Sequence, residues 1–423
     1  MSITSDYECI LKDKAVQVHD KRGQTIWNSD KDIKVQDVMC LDLDMDNQNE
    51  MVLLCWKKGK YGKALPFWEK DNNDWTQHIY IYNIRNNEAH AIWMASDIGL
   101  VVSQWKTLNV GDIQAILIRD TSGKDTLWRW DSWGLKQTDS SVNFLCVGDN
   151  LIQEAIYETG LTDGKGFDYL YKDFTGEIKK ADYAVINQET IFVDDPKLYS
   201  GYPYFGTPLE VGEAILNAGF NVITCATNHA LDKGTYGINI TADFYESEDI
   251  TYLGIQQENE KYEPYKVLEK NGMKIGCFNY TYGVNVDKGN VPENIVHIVP
   301  EDEKLKEEVE SARSFCDAIV VFIHWGKEYS TVPDDSQKKL AQYLCDLGVD
   351  VVVGTHPHVI QPMEVLQSKS GHETLVYYSL GNFISGQNIA ETNIGGMATF
   401  TFSYTIEGVA ITDYSLIRHE LKY

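Results

Sequence analysis

Side chains that bind metals follow strand-like apolar runs at several places between residues 141 and 423. They are Asp149; Asn187 and Glu189; Asn228, His229 and Asp232; His324 and Glu328; His356 and His358; and Asn382. Carboxylates, imidazoles and carboxamides together suit a divalent ion such as Mn²⁺, Fe²⁺ or Zn²⁺. Two carboxylates and several neutral ligands suffice for two ions about 3.5–4 Å apart that share one carboxylate. The set therefore predicts a two-metal site.

Each of these signals also has an ordinary structural explanation. A carboxylate after a strand often caps the following helix, and Asn228-His229-x-x-Asp232 could be only a loop and a helix cap. A single histidine after a strand, such as His324, is commonly a core residue. The joint occurrence of these residues, always at strand ends, favours metal chemistry over the separate explanations.

The apolar pattern predicts that strands and helices alternate from residue 142 onward. Strand-like runs such as FLCVG, VITCAT and AIVVFI are separated by helix-like segments such as LEVGEAILNAGF and DDSQKKLAQYLCDLG. This alternation predicts an α/β fold with a mostly parallel sheet covered on both faces. Functional loops in such sheets follow the carboxyl ends of the strands, so the polar residues should converge.

The ordered motifs resemble the CapA family of poly-γ-glutamate capsule biosynthesis proteins, which have a calcineurin-like metallophosphoesterase fold. The resemblance covers about residues 142–405. It rests on Gly148-Asp149, Asn187-x-Glu189-Thr190, Asn228-His229-Ala-Leu-Asp232-x-Gly234, His324-Trp-Gly-x-Glu328-Tyr329, Gly354-x-His356-Pro-His358-Val-x-Gln361 and Ser379-Leu-Gly-Asn382-Phe. It implies an α/β/β/α sandwich that holds two divalent ions (Mn, Fe or Zn).

The resemblance also implies a role for each residue. Asp149 and His358 would bind the first ion, and Glu189 would bridge the two ions. The second ion would be bound by Asn228, His324 and His356. His229, oriented by Asp232, would act as the general acid, while Glu328, Asn187 and Asn382 would lie around the ligands.

Three departures from the pattern stand out. The wider superfamily has Asp-x-His at the first strand, whereas Leu151 stands here where that His is expected. Glu189 takes the place of a bridging Asp, and Thr227 stands where the family often has Asn. Glu328 has no superfamily counterpart, and we expect it to orient His324.

The function that follows is a metal-dependent hydrolase, in which water activated by two ions attacks a phosphoester. The expected substrate is a small-molecule or polymeric phosphoester, linked to capsule or poly-γ-glutamate metabolism. Two alternatives stay open: an amide hydrolase acting on poly-γ-glutamate, and a non-catalytic protein that binds polymer or assists capsule assembly.

Residues 1–140 are of a different kind and predict a separate domain, with the hydrolase domain at 141–423. Nine of the ten Trp lie at or before Trp133, and short alternating strands are separated by turns. The segment is all-β and weakly resembles FG-GAP/VCBS-type propeller blades. An acidic loop with Asp42, Asp44, Asp46 and Glu50 is similar to the calcium loops of those repeats, although a solvated acidic turn explains it equally well.

Charge and hydropathy limit the partners and the compartment. The net charge of −26 argues against nucleic acid, and no apolar run is long enough for an integral membrane segment. The N-terminus lacks the apolar core of a signal peptide, and the eight Cys are spread singly. We therefore expect a cytoplasmic protein, or else an exported one whose leader is absent from this sequence.

Overall fold

A computed structural model describes residues 2–4, 6–61, 70–162, 164–287 and 294–421. The chain divides into two compact units. The first contains Met1–Ser141 and Ser403–Ala410, and the second contains Val142–Phe402 and Ile411–Tyr423. The sequence pattern places a boundary at 140, but it does not indicate that residues 403–410 belong with the first unit.

The first unit is made of antiparallel strands. They are β1 (Ser2–Thr4), β2 (Tyr7–Lys12), β3 (Ala15–Asp20), β4 (Thr25–Asn28), β5 (Ile33–Leu41), β6 (Glu50–Lys58), β7 (Trp75–Arg85), β8 (Glu88–Met94), β9 (Val102–Val110), β10 (Ile113–Asp120), β11 (Asp125–Asp131) and β12 (Gly134–Thr138). Each run of four, β1–β4, β5–β8 and β9–β12, forms one four-stranded sheet with neighbouring strands adjacent. Short connections between consecutive strands give this meander order.

The sheet β5–β8 lies between the other two. One face of its strands, including Leu53 and Tyr80, packs in a core with Val16 and Val18 of β3. The opposite face packs against the sheet β9–β12. The all-β prediction is therefore confirmed. The propeller resemblance stays a prediction, because three four-stranded sheets are fewer than a closed propeller contains.

Residues 403–410 complete the first unit through polar contacts. Arg119 on β10 donates hydrogen bonds to Asp125 at 2.9 and 2.7 Å and to Glu407 at 2.6 Å. Lys106 Nζ donates to the carbonyl oxygen of Ile406 at 2.7 Å. A segment that is distant in sequence thus becomes part of the first unit.

The second unit contains strands and helices in alternation. Its strands are β13 (Ser141–Leu151), β14 (Tyr183–Gln188), β15 (Phe192–Val193), β16 (Thr207–Pro208), β17 (Val222–Thr224), β18 (Thr251–Leu253), β19 (Tyr265–Lys270), β20 (Met273–Thr281), β21 (Ala318–His324), β22 (Val351–Thr355), β23 (Met363–Gln367), β24 (Glu373–Tyr377), β25 (Asn382–Ser385), β26 (Ile394–Thr405) and β27 (Gly408–Glu420). Its helices are α1 (Glu154–Thr162), α2 (Thr175–Ile178), α3 (Leu209–Ala218), α4 (Gly234–Ser247), α5 (Asp302–Arg313) and α6 (Asp335–Asp346).

These strands form two larger sheets rather than one. The first has the order β18-β17-β14-β13-β26-β27, with β25 also paired to β13. The second has the order β19-β20-β21-β22-β24-β23. Parallel pairs occupy the centre of both sheets: β13 with β14 and β25, and β21 with β20 and β22.

Each sheet has helices on one face and the other sheet on its second face. In the first sheet, Leu145, Ile186 and Ile223 share a core with residues of α3 and α4. In the second sheet, Val321 and Val352 share a core with residues of α5 and α6. The inner faces meet where Tyr377 Oη donates to the carbonyl oxygen of Thr399 at 2.9 Å.

The strands are thus buried on both faces, as their apolar runs indicate. Each sheet is covered on both faces, by helices on one side and by the other sheet on the second. The layering is α/β/β/α, as the family resemblance implies. In the part of the chain that the structure describes, no helix is long and apolar enough to cross a membrane.

Gly148 lies on β13 beside the site, and its substitution tests how tightly this strand is packed. An added Cβ would lie 1.8 Å from the carbonyl oxygen of Gly381, which accepts a hydrogen bond from Asp149 N at 2.9 Å. We expect Gly148→Ala to destabilise the second unit by about 1–3 kcal/mol, because backbone must move. Urea unfolding measures this change. Gly176→Ala on α2 is the control, because nothing lies within 4 Å of its added Cβ; equal midpoints for the two variants would contradict the expectation.

Candidate metal centre

The strands of both sheets deliver the predicted ligands to one place. Asp149 lies near the end of β13 and Glu189 directly follows β14, both in the first sheet. His324 is the last residue of β21 and His356 directly follows β22, both in the second sheet. All four side chains are at most 3% exposed. Carboxylates from one sheet therefore meet imidazoles from the other.

One donor cluster surrounds His324. Its Nε2 lies 2.9 Å from Asn228 Oδ1, 3.2 Å from His356 Nδ1 and 3.7 Å from Glu189 Oε1. Two donors about 2.1 Å from one cation, at an angle of about 100°, lie about 3.2 Å apart. The two imidazole nitrogens therefore have the spacing of ligands to a shared ion.

A second donor cluster surrounds His358. Its Nδ1 lies 3.1 Å from Asp149 Oδ2, 3.1 Å from Asn382 Oδ1 and 3.8 Å from Glu189 Oε2. Ligand atoms of Asp149, Glu189 and His358 lie within 4.8 Å of one another, as do those of Glu189, His324 and His356. The two clusters share only Glu189.

Glu189 decides whether this arrangement suits metal ions. Its side chain is buried, and neither Oε1 nor Oε2 has a hydrogen-bond partner. One oxygen faces the His324 cluster and the other faces the His358 cluster. A buried carboxylate without partners is unfavourable unless a cation compensates it. The donor set around Glu189 is therefore consistent with metal binding.

The electrostatics of the cluster agree with this fit. Burial raises the pKa of Glu189 well above its usual range, and the carboxylate of Asp149 raises it further. Burial lowers the pKa of His324 well below its usual value and that of His356 to about 3, so both imidazoles are neutral and have free lone pairs near pH 7. Burial alone would lower the pKa of His358, but Glu189 and Asp149 raise it to about 9.

Polar residues around the ligands fix their orientation. Thr355 Oγ1 lies 3.0 Å from His324 Nδ1. Asn187 Nδ2 donates to Asp149 Oδ1 at 2.8 Å, and Thr224 Oγ1 donates to Asn187 Oδ1 at 2.9 Å. Thr355 and Thr224 are not among the site residues predicted from the sequence, although each is a polar residue that ends an apolar strand.

Thr227 also has a positioning role. Its Oγ1 donates to the carbonyl oxygen of Glu189 at 2.8 Å and accepts a hydrogen bond from His229 N at 3.2 Å. The departure from Asn at this position therefore leaves a side chain that ties the loop after β14 to the loop after β17.

His229 and Asp232 form a pair next to the donor clusters. His229 Nδ1 lies 2.7 Å from Asp232 Oδ2, which also accepts from Phe205 N at 2.8 Å. The ring of Phe205 packs edge-on against the imidazole, with 4.7 Å between ring centroids. The carboxylate and the phenyl ring fix the imidazole, whose Nε2 lies 3.5 Å from Asn285 Nδ2.

An open cleft of about 380 Å³ gives access to the centre. Its lining includes His229, His358 and Glu328 together with Tyr202 and Tyr329. Glu328 does not contact His324 as expected; its oxygen lies instead within 4.8 Å of ligand atoms of His356 and His358. The side chain that lies against His324 Nδ1 and orients its ring is that of Thr355.

In the first unit, the acidic loop brings together three of its four predicted residues. Ligand atoms of Asp42, Asp44 and Glu50 lie within 4.8 Å of one another, whereas Asp46 pairs with Arg85 at 3.0 Å. Asp42 already accepts hydrogen bonds from the backbone of Asp46 and Asn47. Calcium at this loop stays a prediction.

Comparison with protein families assigns the second unit. Residues 143–387 match the model of the bacterial capsule synthesis protein PGA_cap, which is more than half of the chain. The chain belongs to the PGA_cap family. The match begins just before Asp149 and extends past Asn382, so it contains both donor clusters of this PGA_cap protein.

Two relatives carry names from capsule synthesis. The capsule biosynthesis protein CapA of Bacillus anthracis is 27% identical over 278 residues, covering 63% of this chain and 65% of the relative. The PGA biosynthesis protein CapA of Bacillus subtilis (strain 168) is 27% identical over 270 residues, covering 62% and 68%. The PGA_cap chain thus matches about two thirds of the length of each.

Solved structures also resemble the chain. A novel phosphatase from Mycoplasma pneumoniae has a TM-score of 0.43 and 18% identity, covering 67% of this chain and 95% of that one. The calcineurin-like phosphoesterase YfkN from Bacillus subtilis has a TM-score of 0.41 and 14% identity, covering 67% and 92%.

We expect metal binding to release protons. Near pH 7 the metal-free protein keeps a proton on His358, whose pKa is about 9, and the pKa of Glu189 is also raised. A cation displaces protons from its ligands, so Mn²⁺ affinity rises as pH increases toward 9. Calorimetric titration in two buffers with different ionisation enthalpies measures the release. Binding heats that are equal in both buffers would contradict this expectation.

Proposed function

We propose that this PGA_cap protein is a metal-dependent hydrolase that cleaves a phosphoester in capsule or poly-γ-glutamate metabolism. The observation that carries the proposal is the buried Glu189 carboxylate, whose two unpartnered oxygens face two separate donor clusters. Structural zinc sites are closed by four ligands around one ion, whereas a bridged pair beside an open cleft is typical of hydrolases. The names of the relatives support the link to capsule synthesis.

The residues that would hold the cations follow from the clusters. Asp149, His358 and Asn382 face one side of Glu189, and Asn228, His324 and His356 face the other. Mn, Fe and Zn all accept this mixture of oxygen and nitrogen donors. The two cations, when bound, supply an activated water and neutralise charge on the substrate oxygens.

His229 would supply the proton for the leaving group. Asp232 accepts from Nδ1, so Nε2 is the atom that can donate a proton toward the cleft. The carboxylate also stabilises the imidazolium form that must precede donation. His229 is absent from the donor groups around Glu189, which separates proton transfer from metal binding.

We expect His229→Ala to lower kcat on a phosphodiester such as bis(p-nitrophenyl) phosphate by about 10²–10⁴-fold, because proton transfer to the leaving group is lost. Metal content, measured by elemental analysis, should not change. Asp232→Asn should lower kcat less, since the imidazole remains but loses its orienting charge.

His90→Ala is the matched control, because His90 lies exposed on β8 of the first unit. A His229→Ala protein that keeps full activity would overturn the assignment of the general acid. A wild-type protein without bound metal and without phosphoesterase activity would overturn the proposed function.

A second candidate is hydrolysis of an amide bond in poly-γ-glutamate. One observation favours it: the cleft lining includes the carboxamides Gln153, Gln387 and Asn388, and no Lys or Arg among the described residues. Carboxamides hydrogen-bond both groups of a peptide unit, whereas a doubly charged phosphomonoester is commonly held by basic side chains.

Metal-loaded protein incubated with γ-glutamyl oligomers and with phosphodiesters separates the two candidates. We expect phosphoester cleavage and intact oligomers, measured by mass spectrometry. Shortened oligomers with no phosphoester cleavage would favour the amide hydrolase. Metal-dependent binding of oligomers without any cleavage would favour a polymer-binding protein.

A further inference from the structure

Glu328 is a carboxylate at the metal centre with no assigned task. It is exposed, lines the cleft with His229 and His358, and lies on the loop that follows β21. Its oxygen, a nitrogen of His356 and a nitrogen of His358 lie within 4.8 Å of one another. These two histidines belong to different donor clusters, so Glu328 reaches both clusters from the cleft side.

The loop of Glu328 is fixed to the turn that carries both histidines. Tyr329 N donates to the carbonyl oxygen of Pro357 at 2.8 Å. Gln361 Nε2 donates to the carbonyl oxygen of Ser330 at 2.8 Å. Hydrogen bonds of the two residues that follow Glu328 therefore join its loop to the His356-Pro357-His358 turn and to Gln361.

The same region has unusual backbone angles. Tyr329, His356 and His358 have φ values of 64°, 96° and 60°, in the left-handed region that non-glycine residues seldom adopt. Such angles persist only where the surrounding structure enforces them, and they are concentrated at functional sites. Here they lie next to Glu328 and at both histidines that it approaches.

The number of protein donors and the charge of the donor clusters both allow a further carboxylate ligand. The two clusters give each cation four protein donors when Glu189 is shared, whereas Mn²⁺ favours six. Asp149 and Glu189 offset only two of the four positive charges of a cation pair. Glu328 and His358 both line the cleft, so the carboxylate approaches the donor clusters from that side.

We propose that Glu328 is a direct ligand of the metal pair from the cleft side, complementing the buried carboxylate of Glu189. The inference rests on the proposed function, because it needs cations at Glu189. It gives Glu328 a role in metal binding rather than in orienting His324.

The test is Mn²⁺ binding to the metal-free full chain at one fixed pH, by calorimetry, for wild type and Glu328→Gln. The amide keeps the size of the side chain and removes its charge. We expect the Kd of at least one cation to rise by about tenfold or more, since even residues behind the ligands change affinity by about 10–100-fold. The visible spectrum of the Co²⁺-loaded protein should also change.

Two further variants make the test specific. Asp335→Asn removes the same charge from an exposed residue at the start of α6 and should leave the Kd and the spectrum unchanged. Leu151 lies on the same face of β13 as Asp149 and lines the cleft, so Leu151→His in the Glu328→Gln protein offers a replacement ligand. We expect this double variant to recover affinity.

The outcomes separate this inference from the proposed function. Wild type that binds no Mn²⁺ overturns both. Wild type that binds Mn²⁺, with Glu328→Gln identical to it in Kd and Co²⁺ spectrum, overturns the inference alone. If Glu328→Gln has a lower melting temperature without metal, both measurements are made at a temperature where this variant is fully folded, and a wild-type Kd and spectrum there also overturn the inference.

Discussion

A fully buried carboxylate without a hydrogen bond is the constraint on which the second unit depends. Desolvation of such a group is strongly unfavourable, and a nearby hydrogen-bond donor or positive charge usually compensates this cost. Around Glu189, two sets of metal-binding atoms face its oxygens, with His324 Nε2 at 3.7 Å from one oxygen and His358 Nδ1 at 3.8 Å from the other. The surrounding Thr and Asn side chains orient those atoms and form no hydrogen bond with the Glu189 carboxylate.

Each of the two sheets contributes part of the set of candidate metal ligands. Asp149, Glu189, Asn228 and Asn382 come from the ends of strands in the first sheet, or from the loops that follow, and His324, His356 and His358 come from the second. Neither sheet alone contains both clusters. Packing of the two sheets therefore assembles the centre. Within the first sheet, Gly148 packs closely against Gly381, directly beside Asp149.

Much of this arrangement could be predicted from the residue pattern. Polar residues after apolar strands indicated Asp149, Glu189, His324 and His356, because strand ends converge whatever the details of the sheet. The pattern could not distinguish a helical cover from a second sheet, since both bury a strand on two faces. It also could not show that Glu328 lies near His356 and His358. That placement depends on backbone angles at Tyr329 and His358 that no local propensity favours.

The return of Ser403–Ala410 to the first unit has a consequence for synthesis on the ribosome. N-terminal domains generally fold while the rest of the chain is still being made. Here Arg119 pairs with Glu407 and Lys106 with Ile406, and both of these partners are translated about three hundred residues later. The first unit therefore becomes complete only after residue 410 has been translated, and a chain cut short before residue 403 lacks part of both units.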